Sequence, residues 1–557
     1  MKQKLLTKSL LLLTALLGGV SSAWADDSFN IPKELGTCIP LSTSSDPSFE
    51  SYITTNDNFN LDTRLKVGNT YYTVGAKSGA KTVQIAFKVK ATVNGDYVFG
   101  FKTGSNNGTS TVSITKQKSG DENITTITDN ESVIQDGNWD PNQKHVFHIG
   151  ELVKDNIYTI TLTAEKQSGN YAGNFGLFYF HRVNQYPTLP TAGTIADTDT
   201  HIELSDASFY KSQYNNDKVI SGLDDGGYMD NVLLYNNTAG YFNLLLNVKD
   251  FKANGTLTAT IYDFTNGEQE STATIDITGD GDKTITLPTP ITTGLKKLRF
   301  DFTGTKTSGT IFNYRYVTTN ITKYSVNEDY NYTPAAVDNV DVELTRTLPA
   351  NKWATIVLPF NVTVKQAKET FGDDVKLAQL TGINSDNMEF SSVDMTTDEN
   401  ATAMNANEPY MIFVPAGLSE AKTINGVTIV EGTPSKTTVS GIDFIGSYDA
   451  TTDIPASDGT YTYYFVSDNK LYKTAASGAA NTMKGTRAYF KVPGTAAARL
   501  KGFVFDNDET TGIGDATRLN DKGQKINDKV FFNLSGQRVS KAKKGLYIVG
   551  GKKMIVK

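Results

Sequence analysis

The chain has 557 residues, a length that suits several domains better than one. Aromatic residues make up 10% and charged residues 20%, which is enough apolar material for real cores and excludes a chain disordered throughout. A net charge of -7 argues against nucleic acid as a partner, because phosphate binding needs a basic surface.

The N-terminus reads as a secretion signal. Lys2, Lys4 and Lys8 precede an apolar run from Ser9 to Val20, and Ala23-Trp24-Ala25 is a small-x-small cleavage site. Residues 1–25 are therefore expected to be removed after Ala25, leaving Asp26 at the mature terminus. No later segment is apolar for long enough to span a bilayer as a helix, so the expectation is an exported chain without a transmembrane helix. Cys38 is the only cysteine, so no intramolecular disulfide can form. It lies too far past the apolar run to be a lipid anchor and reads as a small buried residue or an incidental thiol.

Module A is expected over residues 26–185. Val83, Ile85, Phe87 and Val89 share one face of a strand, with Gln84, Ala86, Lys88 and Lys90 on the other. Asn94-Gly95 reads as a two-residue turn into the next strand, Tyr97 to Lys102. Tyr158, Ile160, Leu162 and Ala164 form another inward set. Such period-two patterning predicts a β-sandwich with one buried face per sheet. Two prolines between Tyr186 and Thr191 mark a short stiff linker.

Module B follows over residues 192–320. Phe242, Leu244, Leu246 and Val248 face inward, Asn254-Gly255 turns the chain, and Leu257, Ala259 and Ile261 return it. Leu298, Phe300 and Phe302 form a further inward set. A and B read as divergent copies, each with a Gly-then-Tyr strand start (Gly95 to Tyr97; Gly240-Tyr241) and each closing on an asparagine among aromatics (Asn174, Asn313).

A polar linker from Ser325 to Asn339 leads to β-rich module C, residues 340–506, where one short helix is expected from Val364 to Phe371, stopped by Gly372. Trp353 sits in a continuous apolar strand and reads as core. A third linker, Asp506 to Gly514, precedes a C-terminal β tail, residues 515–557, with a strand near Val530 to Leu534 and a lysine-rich hairpin turning at Gly550-Gly551. The fold class expected is all-β: tandem jelly-roll-like sandwiches, a third β-rich module and a small β tail.

Catalytic patterns are scarce. The four histidines are His145, His148, His181 and His201, and the first two, three apart in a strand, must face opposite sides of a sheet. There is no zinc pattern, no GxSxG elbow and no phosphate loop. Gly279-Asp280-Gly281-Asp282 looks like a fragment of a calcium loop but lacks downstream ligands, so a turn is expected. Paired carboxylates cannot be selected from so many acids, and no catalytic residue is assigned.

Binding chemistry has better candidates. A flat aromatic ring can pack on the C–H face of a pyranose while amides or carboxylates read its hydroxyls. The Tyr71-Tyr72 loop, the strand Gly95 to Phe99, Trp139 among turn formers, and the late pair Asn174 and Leu177 resemble the carbohydrate-binding modules of families 6 and 35. The resemblance implies an apical cleft built in module A from Tyr72 (or Tyr71), Trp139 and Asn174. In module B the corresponding pieces are Tyr228 and Asn313, with no equivalent tryptophan, which makes B a weaker binder or a spacer. The family's structural calcium uses an early Glu and a late Asp. Glu203 fits the first, but the late position holds Asn313 or Tyr314 rather than Asp, so no cofactor is expected, with calcium at Glu203 as the alternative.

The tail pattern PheAsnLeuSerGlyGlnArgVal, then LysGlyLeuTyrIleVal and LysMetIleValLys, resembles the C-terminal sorting domain of type IX secretion. It implies the outer-membrane secretion machinery as a partner, and a location secreted from, or on the outer surface of, a Gram-negative bacterium. The expected function is a non-catalytic surface or secreted protein that binds a glycan or polysaccharide through module A. The alternatives are a structural adhesin that binds proteins on host or neighbouring cells, and an accessory part or cryptic hydrolase of a polysaccharide-degrading system.

Overall fold

The computed structural model describes residues 28–515 except 34–36, 45–47, 57, 105–107, 134–142, 216–218, 253, 306–311, 385, 475–480 and 507, and beyond these the strands at 531–532, 538–539, 545–549 and 552–556. The signal segment with Ala25, and the loop with Trp139, lie outside the described residues. The chain divides into two compact units, Met1–Val326 and Asn327–Lys557.

The first unit contains two β-sandwiches. In module A the strands are β1 (Phe29–Asn30), β2 (Ile53–Thr55), β3 (Phe59–Val67), β4 (Thr70–Ala76), β5 (Thr82–Lys90), β6 (Gly95–Gly104), β7 (Ser110–Lys118), β8 (Ile124–Val133), β9 (Gln143–Leu152), β10 (Ile157–Lys166) and β11 (Asn174–Arg182). They form one sheet in the order β1-β5-β10-β7-β8, with β2 on β5, and another in the order β3-β4-β11-β6-β9. Module B contributes β12 (Ser208–Tyr210), β13 (Gln213–Asn215), β14 (Val219–Leu223), β15 (Tyr228–Asn236), β16 (Gly240–Lys249), β17 (Gly255–Asp263), β18 (Gln269–Ile277), β19 (Gly281–Thr286), β20 (Gly294–Gly304) and β21 (Phe312–Asn327). Its sheets run β12-β15-β20-β17-β18 and β13-β14-β21-β16-β19.

The two modules share a topology: the path β5-β10-β7-β8 repeats as β15-β20-β17-β18, and β4-β11-β6-β9 repeats as β14-β21-β16-β19. The alternating apolar sets predicted from sequence are the cores. Val83, Ile85, Phe87 and Val89 are fully buried, as are Ile160, Leu162 and Ala164, and in module B so are Phe242, Leu244, Leu246, Leu257, Ala259 and Phe300.

Two expected hairpins are corrected. Asn94-Gly95 and Asn254-Gly255 do not join paired strands, because β5 and β6 lie in different sheets, as do β16 and β17. Each strand of these pairs carries a buried face, and the two faces meet only when the chain crosses the core; Phe87 of β5 packs on Phe99 of β6 at 5.9 Å between ring centroids.

The expected linker between the modules is instead stitched into them. Tyr186 and Leu189 are buried, Leu189 N–H donates to the Tyr235 carbonyl (2.9 Å), and Tyr235 N–H donates to the Pro187 carbonyl (2.8 Å). The outer face of A's second sheet packs on the outer face of B's first. Val98, Val183, Tyr186, Leu233 and Leu295 form the apolar centre of this seam. Beside it Asp206 binds Lys144 (2.6 Å) and Lys102 (2.9 Å), while Lys144 N–H donates to Ser208 Oγ (2.9 Å) and Asn231 Nδ2 to the Lys144 carbonyl (2.8 Å). Lys102 and Lys144 together hold the Asp206 carboxyl well below the ordinary carboxylate range. Cys38 lies nearby, and burial pushes its thiol up to about 12.

In the second unit the strands Trp353–Ile356, Tyr410–Phe413, Lys376–Asn384, Asn387–Ser392 and Gly502–Phe505 run side by side. They cover a core shared with the strands Lys470–Lys473, Tyr461–Ser467, Arg487–Pro493, Ile442–Ser447 and Lys436–Val439. The predicted helix is present as α1 (Val364–Phe371): Thr363 caps it, Ala367 and Phe371 are buried, and Gly372 ends it at φ +101°. Trp353 is half-buried and stacks on Phe505 at 3.9 Å. Asp508–Asp515, expected as a linker, is a strand, because it pairs with Gly502–Phe505 on one side and Lys470–Lys473 on the other. In the tail, Gly545–Val549 and Lys552–Val556 pair as the expected hairpin.

Candidate functional site

Most of the residues selected from sequence are structural. Tyr72 shares the inward parity of Val74 on β4 and is 2% exposed, and burial pushes its hydroxyl pKa up. Tyr71 is also buried: residues 41 and 42 pair with its backbone, and its hydroxyl accepts from Lys66 Nζ (3.1 Å). Asn174 is 4% exposed and lies in register between Gly75 and Gly104, so close that a Cβ on Gly75 would stand 2.9 Å from its Oδ1. Asn313 sits at the matching place in module B, where Gly222 N–H donates to its Oδ1 (3.0 Å) and its Nδ2 donates to Asp250 (3.0 Å). Both asparagines clamp the last strand against a glycine of the strand beside it. Glu203 Oε1 accepts from Ser205 N–H (3.0 Å) and from the Tyr214 hydroxyl (3.2 Å), so its carboxylate serves a local turn. Among the described residues no three His, Cys, Asp or Glu side chains gather into a metal cluster.

The histidines also act in packing. His145 points inward to Thr103 Oγ1 (2.9 Å) and burial pulls its pKa down to about 3; His148, on the opposite face, meets Asp96 (2.6 Å). His181 stacks on Tyr179 at 4.4 Å in the seam.

Tyr228 has a different setting. Gly226, at φ +68°, and Gly227 make the turn that delivers it, and a Cβ on Gly227 would stand 2.7 Å from the Asp224 carbonyl. Met229 then points into the core, so Tyr228 points out. Cross-strand register builds a row on this outer face: Tyr210 of β12, Tyr228 of β15, Asp301 of β20, Thr258 of β17 and Thr274 of β18. Five strands at the usual spacing extend the row over about 19 Å.

At one end Tyr210 stacks on Tyr228, with centroids 5.3 Å apart and planes 25° apart. Among the described residues Tyr210 is one of the few large apolar side chains left exposed, at 38%. The Arg299 guanidinium lies 4.2 Å from the centre of the Tyr228 ring. It is fixed by a two-point bond to Asp301 (Nε–Oδ2 2.8 Å, Nη2–Oδ1 2.6 Å) and by Nη1 to Asp230 (2.8 Å). The Asp301 hydrogen bonds come first among the causes that raise the Arg299 pKa above its ordinary value, and burial only partly opposes them. At the other end Thr258 and Thr274 share a hydroxyl contact (2.8 Å).

The result is a surface with aromatic rings at one end, an ionic group held rigidly in the middle, and hydroxyls beyond. Tyr210, Asp230, Arg299 and Asp301 were not selected from sequence. The signal was present: in LysLysLeuArgPheAspPhe the inward set Leu298, Phe300 and Phe302 forces Arg299 and Asp301 outward. Gln143, the first described residue after Trp139, donates from Nε2 to the Phe209 carbonyl beside Tyr210 (2.9 Å).

No protein-family model matches the chain, and no curated protein matches it. Among solved structures it is similar to the N-terminal CBM22-1-CBM22-2 tandem domain of Paenibacillus barcinonensis Xyn10C, at 13% identity and a TM-score of 0.18, over 51% of this chain and 98% of that one. It is similar to a Paenibacillus sp. cycloisomaltooligosaccharide glucanotransferase complexed with cycloisomaltoheptaose, at 9% identity and a TM-score of 0.17, over 55% of this chain and 45% of that one. A Bacteroides uniformis β-glucuronidase is similar at 12% identity and a TM-score of 0.15, over 47% of this chain and 30% of that one. The matched region thus spans less than half of each of these two enzymes. Likeness at these TM-scores carries no argument about this chain; the all-β class rests on its own sheets.

Proposed function

We propose that this chain is an exported carbohydrate-binding protein whose binding face is the Tyr210–Tyr228–Arg299–Asp301 row of module B. The observation that supports the reading is the Tyr210–Tyr228 stack beside a guanidinium already fixed by two carboxylates. Rigid rings offer apolar contact to pyranose C–H groups at little entropic cost, and fixed polar groups read hydroxyls without reordering. Asp230 and Asp301 both accept from Arg299, a use that suits recognition better than acid–base chemistry. Export rests on the basic-apolar-small pattern of residues 1–25 and on the sorting-like tail.

A glycan array with the chain from Asp26 onward tests the binding. Tyr228→Ala and Tyr210→Ala are each expected to weaken retention on the preferred glycan about tenfold, since one stacked ring contributes about 1–1.5 kcal/mol. Absence of binding to every glycan, or unchanged binding in both variants, overturns the reading. Trp139→Ala, tested alongside, decides whether the face extends into module A. The intact mass of the exported protein checks the signal: its N-terminus is expected at Asp26.

A further inference from the structure

The outer face of module C carries a second aromatic surface that the row in module B does not use. Tyr461–Ser467 lies between Arg487–Pro493 and Lys470–Lys473, and Arg487–Pro493 pairs on its other edge with Ile442–Ser447. Tyr464, Phe490 and Phe444 face the core. Their neighbours in sequence therefore face out, and Tyr461, Tyr463, Tyr489, Lys491 and Ile445 are half-buried rather than covered. Tyr463 and Tyr489 lie 6.3 Å apart between centroids with planes at 45°, and Ile445 is in register beside Tyr489. Lys491 Nζ sits 3.9 Å over the Tyr461 ring. Asp443, across from Lys491, accepts from Thr438 Oγ1 (2.7 Å) and from Lys436 (3.3 Å).

We propose that this surface is a second glycan-binding site, for an uncharged polysaccharide chain. Three observations select that occupant. The charged side chains already have contacts: Lys491 lies on a ring and Asp443 is held by Lys436 and Thr438, so a neutral ligand leaves these contacts intact. Both edges of Tyr461–Ser467, Arg487–Pro493 and Ile442–Ser447 are already paired, so a peptide cannot add as a strand here. The three rings are all tyrosines, which present a flat apolar surface together with hydroxyls, the combination a pyranose requires. This inference rests on the reading of module B only in the class of ligand.

The test is native affinity electrophoresis of the chain from Asp26 onward in gels containing mixed-linkage β-glucan, xylan, galactomannan or α-mannan. Wild type is expected to be retarded by at least one, Tyr228→Ala less so, and Tyr228→Ala with Tyr463→Ala and Tyr489→Ala not at all. Tyr463→Trp, with a larger ring, is expected to keep or increase retardation, which separates ring contact from misfolding. If Tyr228→Ala alone abolishes retardation, or if Tyr463→Ala and Tyr489→Ala migrate as their parents do, the second site is overturned and module B's role stands. If only the Tyr463 and Tyr489 variants lose retardation, module B's role falls instead. Absence of retardation of wild type overturns both. A dimer in sedimentation that these variants convert to monomer would assign the surface to a second copy of the chain and also overturn the proposal.

Discussion

At the scale of single residues, polar side chains near a strand end were the hardest to read. An asparagine before the last strand has the same local sequence whether it waits for a sugar or closes a sheet. Here Asn313 takes the Gly222 N–H and holds Asp250, and Asn174 fills the space left by Gly75. Asn313→Ala is therefore expected to cost about 1 kcal/mol of stability and to leave glycan retention unchanged. Urea unfolding and the affinity gels check the two halves of that statement. Tyr72 was legible as an aromatic but not as a buried one, because its partner Tyr71 has the same side chain and only the register of β4 decides which of the two turns inward.

At the scale of elements, period-two patterning identified the strands and left their partners open. A strand with one apolar face can return beside its predecessor or cross the core to face it, and Asn-Gly permits either. Burial decides: β5 and β6 present apolar faces that meet across the sandwich, so the chain crosses. Burial also gives β9 and β11 a pH dependence. It is the main cause that lowers His145 to about 3 and, with help from Lys144, His181 to about 3. An unfolded histidine titrates near 6.5, so between these values the unfolded chain binds more protons. Stability from both histidines is complete above about pH 6.5 and falls as the pH drops towards 3, by at most about 1.4 kcal/mol per unit for each. Urea midpoints at pH 7.5 and 5 should differ accordingly, and His145→Gln should reduce the difference by about half. Equal midpoints would contradict the burial of both rings.

At the scale of the whole chain, the join between modules A and B is the least expected feature. Prolines between Tyr186 and Thr191 suggested a spacer; the structure packs sheet on sheet and buries Tyr186 and Leu189. Lys144 keeps only 4% of its side chain exposed and depends on Asp206, whose own side chain is 60% exposed. Asp206→Ala is expected to cost about 1–2 kcal/mol, less than a fully enclosed pair because water still reaches the carboxylate. It should also make residues 183–200 a site of protease cleavage that the wild type resists; limited proteolysis with mass spectrometry checks this. The same outer face of module B carries the seam at Leu233 and Leu295 and the candidate site at Tyr228 and Arg299, so module A covers one part of the sheet and leaves the other open.

The sequence by itself determined the all-β class, the inward faces of β5, β10, β16, β17 and β20, the helix at Val364–Phe371 and the likeness of A to B, because each depends on periodicity or on a local cap. Only the tertiary structure decided which strands pair, that Tyr71 and Tyr72 are both buried, and that Tyr210, Tyr228, Arg299 and Asp301 meet. These residues come from three strands, with β20 distant in the chain from β12 and β15, and their proximity is set by sheet register, which strand patterning alone does not encode.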